Sequence, residues 1–485
     1  MCKKGFIVMC FIFVFQVIKA QESKTVYKKK VLESVEVDFL YSYYQQDGTH
    51  ASVTGGIGTE NLSDITPTIV VQIPLNEDDV LTVDFGISAY TSASSSNLDP
   101  FDVSGASGEY DDDDDDDRAV VAAPTTSGSP WIASTGASKS DVWANGVVKY
   151  SHSSDDRNTV WGVNTSVSAE YDYASLGFGA SISKLFNQKN TEIGLSAQLY
   201  LDAWDPKYPT ELDSYLEAGR DLNNGFFANV DILDQQGAII DKNGSTIWAP
   251  EKDGLIPRKD RKTVNLSLSF SQILSKRAQI SLFLDVVKQE GWLANPMQRV
   301  YFSDKANYYI GDAASIPNYT STTNTNVFHL ADDIERLPES RLKIPVGARF
   351  NYYVNEFVTL RSYYRYYYDD WGVSGHTANI ELPIKLGFGK FTFYPNYRFY
   401  TQTAANYFAP YEQHLSTNQY YTSDYDLSEF NSHQYGLGFK YTDIFQKFKI
   451  GGFGLKSLDI RYSNYNRSDG LQANIISAGL KFVMD

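Results

Sequence analysis

The chain has 485 residues, with 42 Lys+Arg against 59 Asp+Glu and a formal charge of −17, which excludes a basic phosphate-reading face as its organising feature. Hydrophobic residues at 42% and charged residues at 21% are ordinary for a folded protein and exclude a disordered chain. Tyr is abundant, at 35, beside 28 Phe and 7 Trp, whereas Met and Cys number only 4 and 2.

The first expected element is an address. Lys3 and Lys4 precede an apolar run within Gly5–Ile18, and the small residue Ala20 stands before Gln21. That charged, apolar, small order predicts a secretory signal peptide over residues 1–20. The run is short for a spanning helix, which needs about 20 apolar residues. Cys2 and Cys10 both lie inside it, so the processed chain carries no disulfide, no thiolate nucleophile and no Cys-ligated metal. Residues 21–34 read as a periplasmic arm. Beyond residue 21 no stretch of 18 apolar residues occurs, so the chain is either secreted or crosses a membrane as a closed sheet.

Alternation chooses the closed sheet. Val264, Leu266, Leu268 and Phe270 alternate with Asn265, Ser267, Ser269 and Ser271; Ile193, Leu195, Ala197 and Leu199 alternate with Gly194, Ser196, Gln198 and Tyr200. This period of two is that of a strand with two unlike faces. Sixteen such segments are expected, near 35–44, 65–74, 79–91, 141–151, 158–169, 171–185, 191–205, 262–272, 278–290, 341–354, 358–370, 375–388, 390–402, 432–442, 456–465 and 472–483. Most are longer than the five or six residues usual in soluble sheets and match the ~9–11 needed to cross a bilayer at a tilt.

The connections fall into two classes. Short turns are expected at Asn76–Asp78, Ser153–Asn158, Asn187–Asn190, Ser275–Arg277, Asn355–Glu356 and Gly387–Gly389, and long loops near 92–140, 206–261, 291–340 and 403–431. Only the segment around Gln446–Gly454 is long for its side. Short periplasmic turns, long outer loops and Tyr-rich strand ends describe an all-β transmembrane antiparallel barrel of about 16 strands over residues 35–485, placed in the outer membrane of a Gram-negative bacterium.

Two charge constellations stand out. Asp99, Asp102 and the run Asp111, Asp112, Asp113, Asp114, Asp115, Asp116 and Asp117 fall in one outer loop. Like charges extend a chain, and hard divalent cations gather oxygens, so loose cation bridging is the one metal interaction expected; the spaced order of a calcium loop is missing, and no cofactor is expected. The second constellation faces the lumen. Arg361, Arg365 and Asp369 share one strand face, Glu381 and Lys385 share the next, and Arg349 and Arg398 flank them. Strands are about 4.8 Å apart, so these side chains form a charge ladder, opposed by an acidic wall of Glu36, Asp38, Asp84, Asp202 and Asp285. His376, His414 and His433 approach the outer rim on the expected topology, but the sequence has no His-Glu-x-x-His motif, Walker loop or G-x-S-x-G elbow, and no catalytic residue is assigned.

Several strings are unusual: Asn295–Phe302 (NPMQRVYF), Glu335–Arg341 (ERLPESR), Tyr364–Gly372 (YRYYYDDWG), Tyr397–Gln402 (YRFYTQ), Asn406–Tyr411 (NYFAPY) and Thr422–Leu427 (TSDYDL). In combination the chain resembles a domain-of-unknown-function family of outer-membrane barrels common in Bacteroidota. The resemblance implies an outer-membrane location, among lipid and lipopolysaccharide, and the closing strand Asn474–Asp485 resembles the terminal strand recognised by the barrel-assembly machinery. Family genes often lie near those for a flavin transferase, which implies an exported flavoprotein or thioredoxin-like protein as partner; nucleic acid is not one. Three functions are therefore expected in order: a non-enzymatic component of an envelope assembly linked to extracytoplasmic redox work, a porin-like channel for small polar solutes, and an outer-membrane enzyme with a rim site.

Overall fold

A computed structural model of the chain describes residues 30–91, 140–250, 259–323, 326–443 and 445–484. Sixteen strands close into one antiparallel ring. They are β1 Glu36–Asp47, β2 Leu62–Pro74, β3 Asp79–Thr91, β4 Ser140–Ser153, β5 Thr159–Ala169, β6 Tyr173–Phe186, β7 Thr191–Trp204 and β8 Lys259–Ser275. There follow β9 Ala278–Gly291, β10 in two segments (Ser340–Lys343 and Val346–Tyr353), β11 Thr359–Tyr368 and β12 in two segments (Ser374–Glu381 and Ile384–Leu386). The last four are β13 Phe391–Gln402, β14 Phe430–Thr442, β15 Phe453–Arg467 and β16 Gln472–Met484. Every expected strand is present. The ring is sealed by β1 against β16, from Glu36 opposite Val483 to Asp47 opposite Gln472. A sheet without an edge leaves no unpaired ladder of backbone groups to face lipid.

The two interrupted strands follow from proline. Pro345 and Pro383 have no N–H to give the ladder. The register is nevertheless kept across both gaps: Val287 opposes Lys343 while Leu284 opposes Val346, and Glu381 opposes Asn396 while Ile384 opposes Phe393.

Alternation sets which face meets lipid. Phe39, Phe85, Leu195, Leu268, Tyr364 and Leu437 all point outward and are exposed, whereas their chain neighbours line the interior. A continuous apolar band of this extent is untenable in water and matches a hydrocarbon layer. The short turns are built by local side chains. Asn76 accepts the backbone N–H groups of Asp78 and Asp79 at 2.8 and 2.9 Å, and Asn355 accepts those of Phe357 and Val358 at 3.0 and 2.9 Å. The long β14–β15 connection is ordered where it is described: Asp443 accepts the N–H of Lys447 at 2.8 Å, and Lys449–Ile450 pairs with Phe453 and Gly454. The expected signal peptide and most of the 21–34 arm lie outside the described residues.

Two of the long connections are folded where they are described. The described residues of the segments 206–261 and 291–340, read as loops, fold into a cap with its own core. A helix, α1 Thr210–Glu217, buries Leu212 and Tyr215 against Phe227 and Trp248 of the same loop and against Ile310, Phe328 and Leu330 of the β9–β10 loop. A small sheet joins Ile232–Leu233, Tyr309–Gly311 and Val327–His329. The indole N–H of Trp248 donates to the Ala331 carbonyl at 3.0 Å, so the deeply buried ring is satisfied.

Candidate functional site: an arginine-lined lumen under a folded cap

On β11 the exposed Tyr364, Tyr366 and Tyr368 face outward, so Arg361, Tyr363 and Arg365 face the lumen. Antiparallel pairing then fixes their neighbours. Arg349 on β10 opposes Tyr363, Glu381 on β12 opposes Arg361, and Arg398 on β13 opposes Asn379. Arg349, Arg361, Arg365, Glu381 and Arg398 line one lumen cavity of about 640 Å³, joined by Arg461 of β15. Five of the seven expected ladder residues therefore converge.

Charge balance in this cavity is one-sided. Glu381 serves two arginines: Arg361 Nη1 donates to one carboxylate oxygen at 2.9 Å and Arg461 Nη1 to the other at 3.0 Å. Arg461 also reaches Asp459 at 3.0 Å. Arg349, Arg365 and Arg398 have no carboxylate partner among the described residues. Arg349 instead lies 5.6 Å from the ring centres of both Phe283 and Tyr363, and Arg365 lies 5.8 Å from Tyr367. Guanidinium over an aromatic face keeps its N–H groups free at the edge, where an anion can take them two at a time.

The other two ladder residues stand apart. Asp369 is fully buried at the outer end of β11, where it accepts from Arg341 at 2.5 Å, from Tyr367 at 2.7 Å and from the N–H groups of Trp371 and Val373, both at 3.0 Å. It anchors the β11–β12 hairpin tip rather than charging the lumen. Lys385 opposes Thr392 near the periplasmic end, below the cavity. The Asp99, Asp102 and Asp111–Asp117 loop lies outside the described residues.

The expected acidic wall holds only in part: three of its five carboxylates are paired locally, whereas Asp84 and Asp285 have no ion-pair partner among the described residues. Glu36 and Asp38 are tied to Lys481 at 2.8 and 3.2 Å, and Lys456 adds a contact to Glu36 at 2.7 Å. Asp202 is held by Arg261 at 2.7 Å and by the Tyr173 hydroxyl at 2.9 Å. Asp285 joins Arg349 and Arg365 in a second cavity. The acids with local cations cannot project a field across the lumen. The three rim histidines do not converge either: His376 pairs with the Tyr364 hydroxyl at 2.7 Å, His433 with that of Tyr397 at 2.8 Å, and His414 with the Thr422 carbonyl at 2.9 Å.

That second cavity, also about 640 Å³, was not anticipated. It shares Arg349, Tyr363 and Arg365 with the first and adds Ser267, Ser269, Ser271 and Ser281. Phe283 lies at the junction, its ring stacked on Tyr363 at 5.7 Å and 11°. The stack spans β10 because Gly347 stands between them; a Cβ there would come within 2.2 Å of the Phe283 ring. Two signals could have found these residues. Phe283 is an aromatic on the polar register of β9, between Ser281 and Asp285, and Arg461 shares the register of Asp459 and Ser463 on β15.

Above the lumen the loops meet. Arg299 of the β9–β10 loop is wholly buried, donates to Glu211 of the β7–β8 loop at 2.6 and 2.9 Å, and donates to the Val53 carbonyl of the β1–β2 loop at 2.9 Å. In a ring of sixteen, β1–β2 and β9–β10 stand on opposite sides, so this junction spans the mouth. Burial controls the titration of the cap. Desolvation pushes Glu335 up to about 8, reinforced by Asp424, although the Thr422 hydroxyl and the Asn295 N–H donate to its carboxyl at 2.5 and 2.6 Å. Glu60, facing the upper lumen with Asp426 and Arg467, is likewise raised to about 8 by burial and then by Asp426. His329 is held neutral, lowered to about 3 by burial, with Tyr301 and Tyr309 stacked at 4.2 and 4.6 Å.

Ring closure, the apolar outer band and the charged lumen define a transmembrane β-barrel of the outer-membrane class. The chain belongs to the family described as Protein of unknown function (DUF3570), which matches residues 7–472. No curated protein matches it. Among solved structures it is similar to a bacterial polysaccharide outer membrane secretin, at 8% identity and a TM-score of 0.41 over 93% of this chain and 98% of that one. It is also similar to OccK9 (OpdG) of Pseudomonas aeruginosa, at 8% identity and a TM-score of 0.34 over 93% and 98%. A third is a mutant of the TodX monoaromatic hydrocarbon channel, at 8% identity and a TM-score of 0.36 over 94% and 91%.

Proposed function

We propose that this protein is an outer-membrane channel that favours small anionic solutes, with access from outside governed by the folded cap. One observation carries the reading: Arg349, Arg365 and Arg398 line a single lumen cavity without a carboxylate partner among the described residues. Unpaired guanidiniums in a confined aqueous lumen attract anions and repel cations, and the low-dielectric wall strengthens both effects. Planar-bilayer recording tests it. In a KCl gradient the reversal potential takes the sign of chloride preference, and Arg349→Gln with Arg365→Gln moves it toward zero. Absence of conductance, or cation preference, overturns it.

A second reading is a non-conducting component of an envelope assembly that holds an exported flavoprotein or thioredoxin-like partner. The loop junction across the mouth favours it, because a capped barrel restricts diffusion. Co-purification of such a partner in cross-linked membranes, together with a silent bilayer, is the result that selects it. Under either reading the Asp111–Asp117 run is proposed to bridge divalent cations to lipopolysaccharide, as read by chelator-dependent release of lipopolysaccharide from purified protein.

A further inference from the structure

We propose that the lumen site takes an anionic saccharide, meaning a sugar ring that carries a carboxylate or a phosphate. The proposal rests on the reading of the lumen as an anion path and deepens it.

Beside the carboxylates of Glu192 and Asp285, three chemistries that suit one ligand meet in the second cavity. Arg349 and Arg365 supply free guanidinium edges on one wall. Ser267, Ser269, Ser271 and Ser281 supply hydroxyls on the other. Phe283 and Tyr363 stand between, as a near-parallel stack 5.7 Å apart. Each suits a different part of one molecule. Guanidinium recognises a carboxylate or phosphate through paired N–H donors. Serine hydroxyls both donate and accept, so they exchange bonds with a polyol whichever way its hydroxyls turn. An aromatic face receives the C–H face of a sugar ring, which is apolar although its rim is polar.

Simpler solutes use only part of the site. A small inorganic anion engages the arginines and leaves the hydroxyl wall and the rings idle. A neutral sugar leaves the guanidiniums unpaired. The hydroxyl wall is a run of one residue type on one strand register rather than scattered polarity: Ser267, Ser269 and Ser271 are successive inward positions of β8. Ser271 already bonds Ser281 of β9 at 2.8 Å, so the wall is continuous across the two strands. The aromatic stack is also a built feature, because it requires the missing side chain at Gly347.

The test is isothermal titration calorimetry on the full-length protein in detergent micelles. The probes are galacturonate, glucose 6-phosphate, acetate, inorganic phosphate and glucose. The expected result is that galacturonate or glucose 6-phosphate binds at least about 10-fold more tightly than acetate, inorganic phosphate and glucose, a ratio that one good stacking contact supplies. The stronger of the two sugars tells carboxylate from phosphate. Phe283→Ala is expected to lower the saccharide affinity about 10-fold and the acetate affinity by less, while Phe283→Tyr retains both. Galacturonate and glucose 6-phosphate binding no better than acetate, inorganic phosphate or glucose overturns the proposal, and this comparison on the unaltered protein needs no variant to fold. Bilayer recording separates the two readings. A protein that binds the saccharide without conducting refutes the channel and keeps the site, and one that conducts chloride without saccharide preference does the reverse.

Discussion

Arg299 and Glu211 form a two-point ion pair, Nε to Oε1 at 2.6 Å and Nη2 to Oε2 at 2.9 Å, with neither side chain touching solvent. They lie 88 residues apart on different loops, and the same guanidinium reaches the Val53 carbonyl of a third. The cap is therefore tied where three loops cross, over a lumen lined by Arg349, Arg365 and Arg398. Removing one partner of such a pair strands the other in a dry site.

Arg299→Met is accordingly expected to weaken the cap by about 3–5 kcal/mol, because Glu211 stays buried without its counter-charge. Hydrogen exchange in residues 292–339 should rise while the strands stay protected. Adding Glu211→Leu should recover much of the loss, since a buried pair replaced by apolar groups is often neutral. Unchanged exchange in the single variant would show that the junction does not hold the cap.

The cap should also loosen in alkali. Glu335 and Glu60 have pKa values raised to about 8 in the folded protein, by burial first and by Asp424 or Asp426 second. The folded state thus holds protons that the unfolded chain has released. Their contribution is complete below the ordinary carboxylate range near 4.5 and is lost as pH rises through 8. Loop protection measured from pH 5 to pH 9 should fall over that window, and Glu335→Gln, neutral throughout, should flatten the slope. A rise in protection toward alkali would contradict the assignment.

Much of this molecule was legible in its residues, and the reason is geometric. A strand that meets lipid on one side and water on the other writes its period into every second residue, as in Leu266 and Leu268 against Ser267 and Ser269. The same rule placed Arg349, Arg361, Arg365, Glu381 and Arg398 on the inner face. It could not say that Glu36 and Asp38 are neutralised by Lys481, because that pairing depends on which strands close the ring. The cap was illegible for a different reason. Its core joins Leu212 and Phe227 to Ile310 and Phe328 by contacts without period, and no local pattern announces Arg299 beside Glu211.

Glu381 offers an unusual lever on selectivity. It is the one carboxylate lining the arginine cavity among the described residues and is shared by Arg361 and Arg461. Glu381→Gln should free a further guanidinium edge and increase chloride preference in a KCl gradient, the opposite sign to the loss expected from Arg349→Gln or Arg398→Gln. If the reversal potential moves toward cations instead, the lumen charges do not set selectivity.

Gly347 tests the packing that joins the two lumen cavities. A Cβ at this position would stand 2.2 Å from the Phe283 ring and 2.7 Å from the Tyr364 carbonyl, and only the ring can move. Gly347→Val should therefore displace Phe283 from Tyr363 and cost about 1–3 kcal/mol through overpacking. Gly347→Val with Phe283→Ala should restore much of the stability, because the ring that collides is gone, but not the stack. Thermal unfolding in detergent reads the first effect. A double variant no more stable than Gly347→Val alone would place the strain in the backbone contact with Tyr364, and the aromatic pair would then not be what requires glycine there.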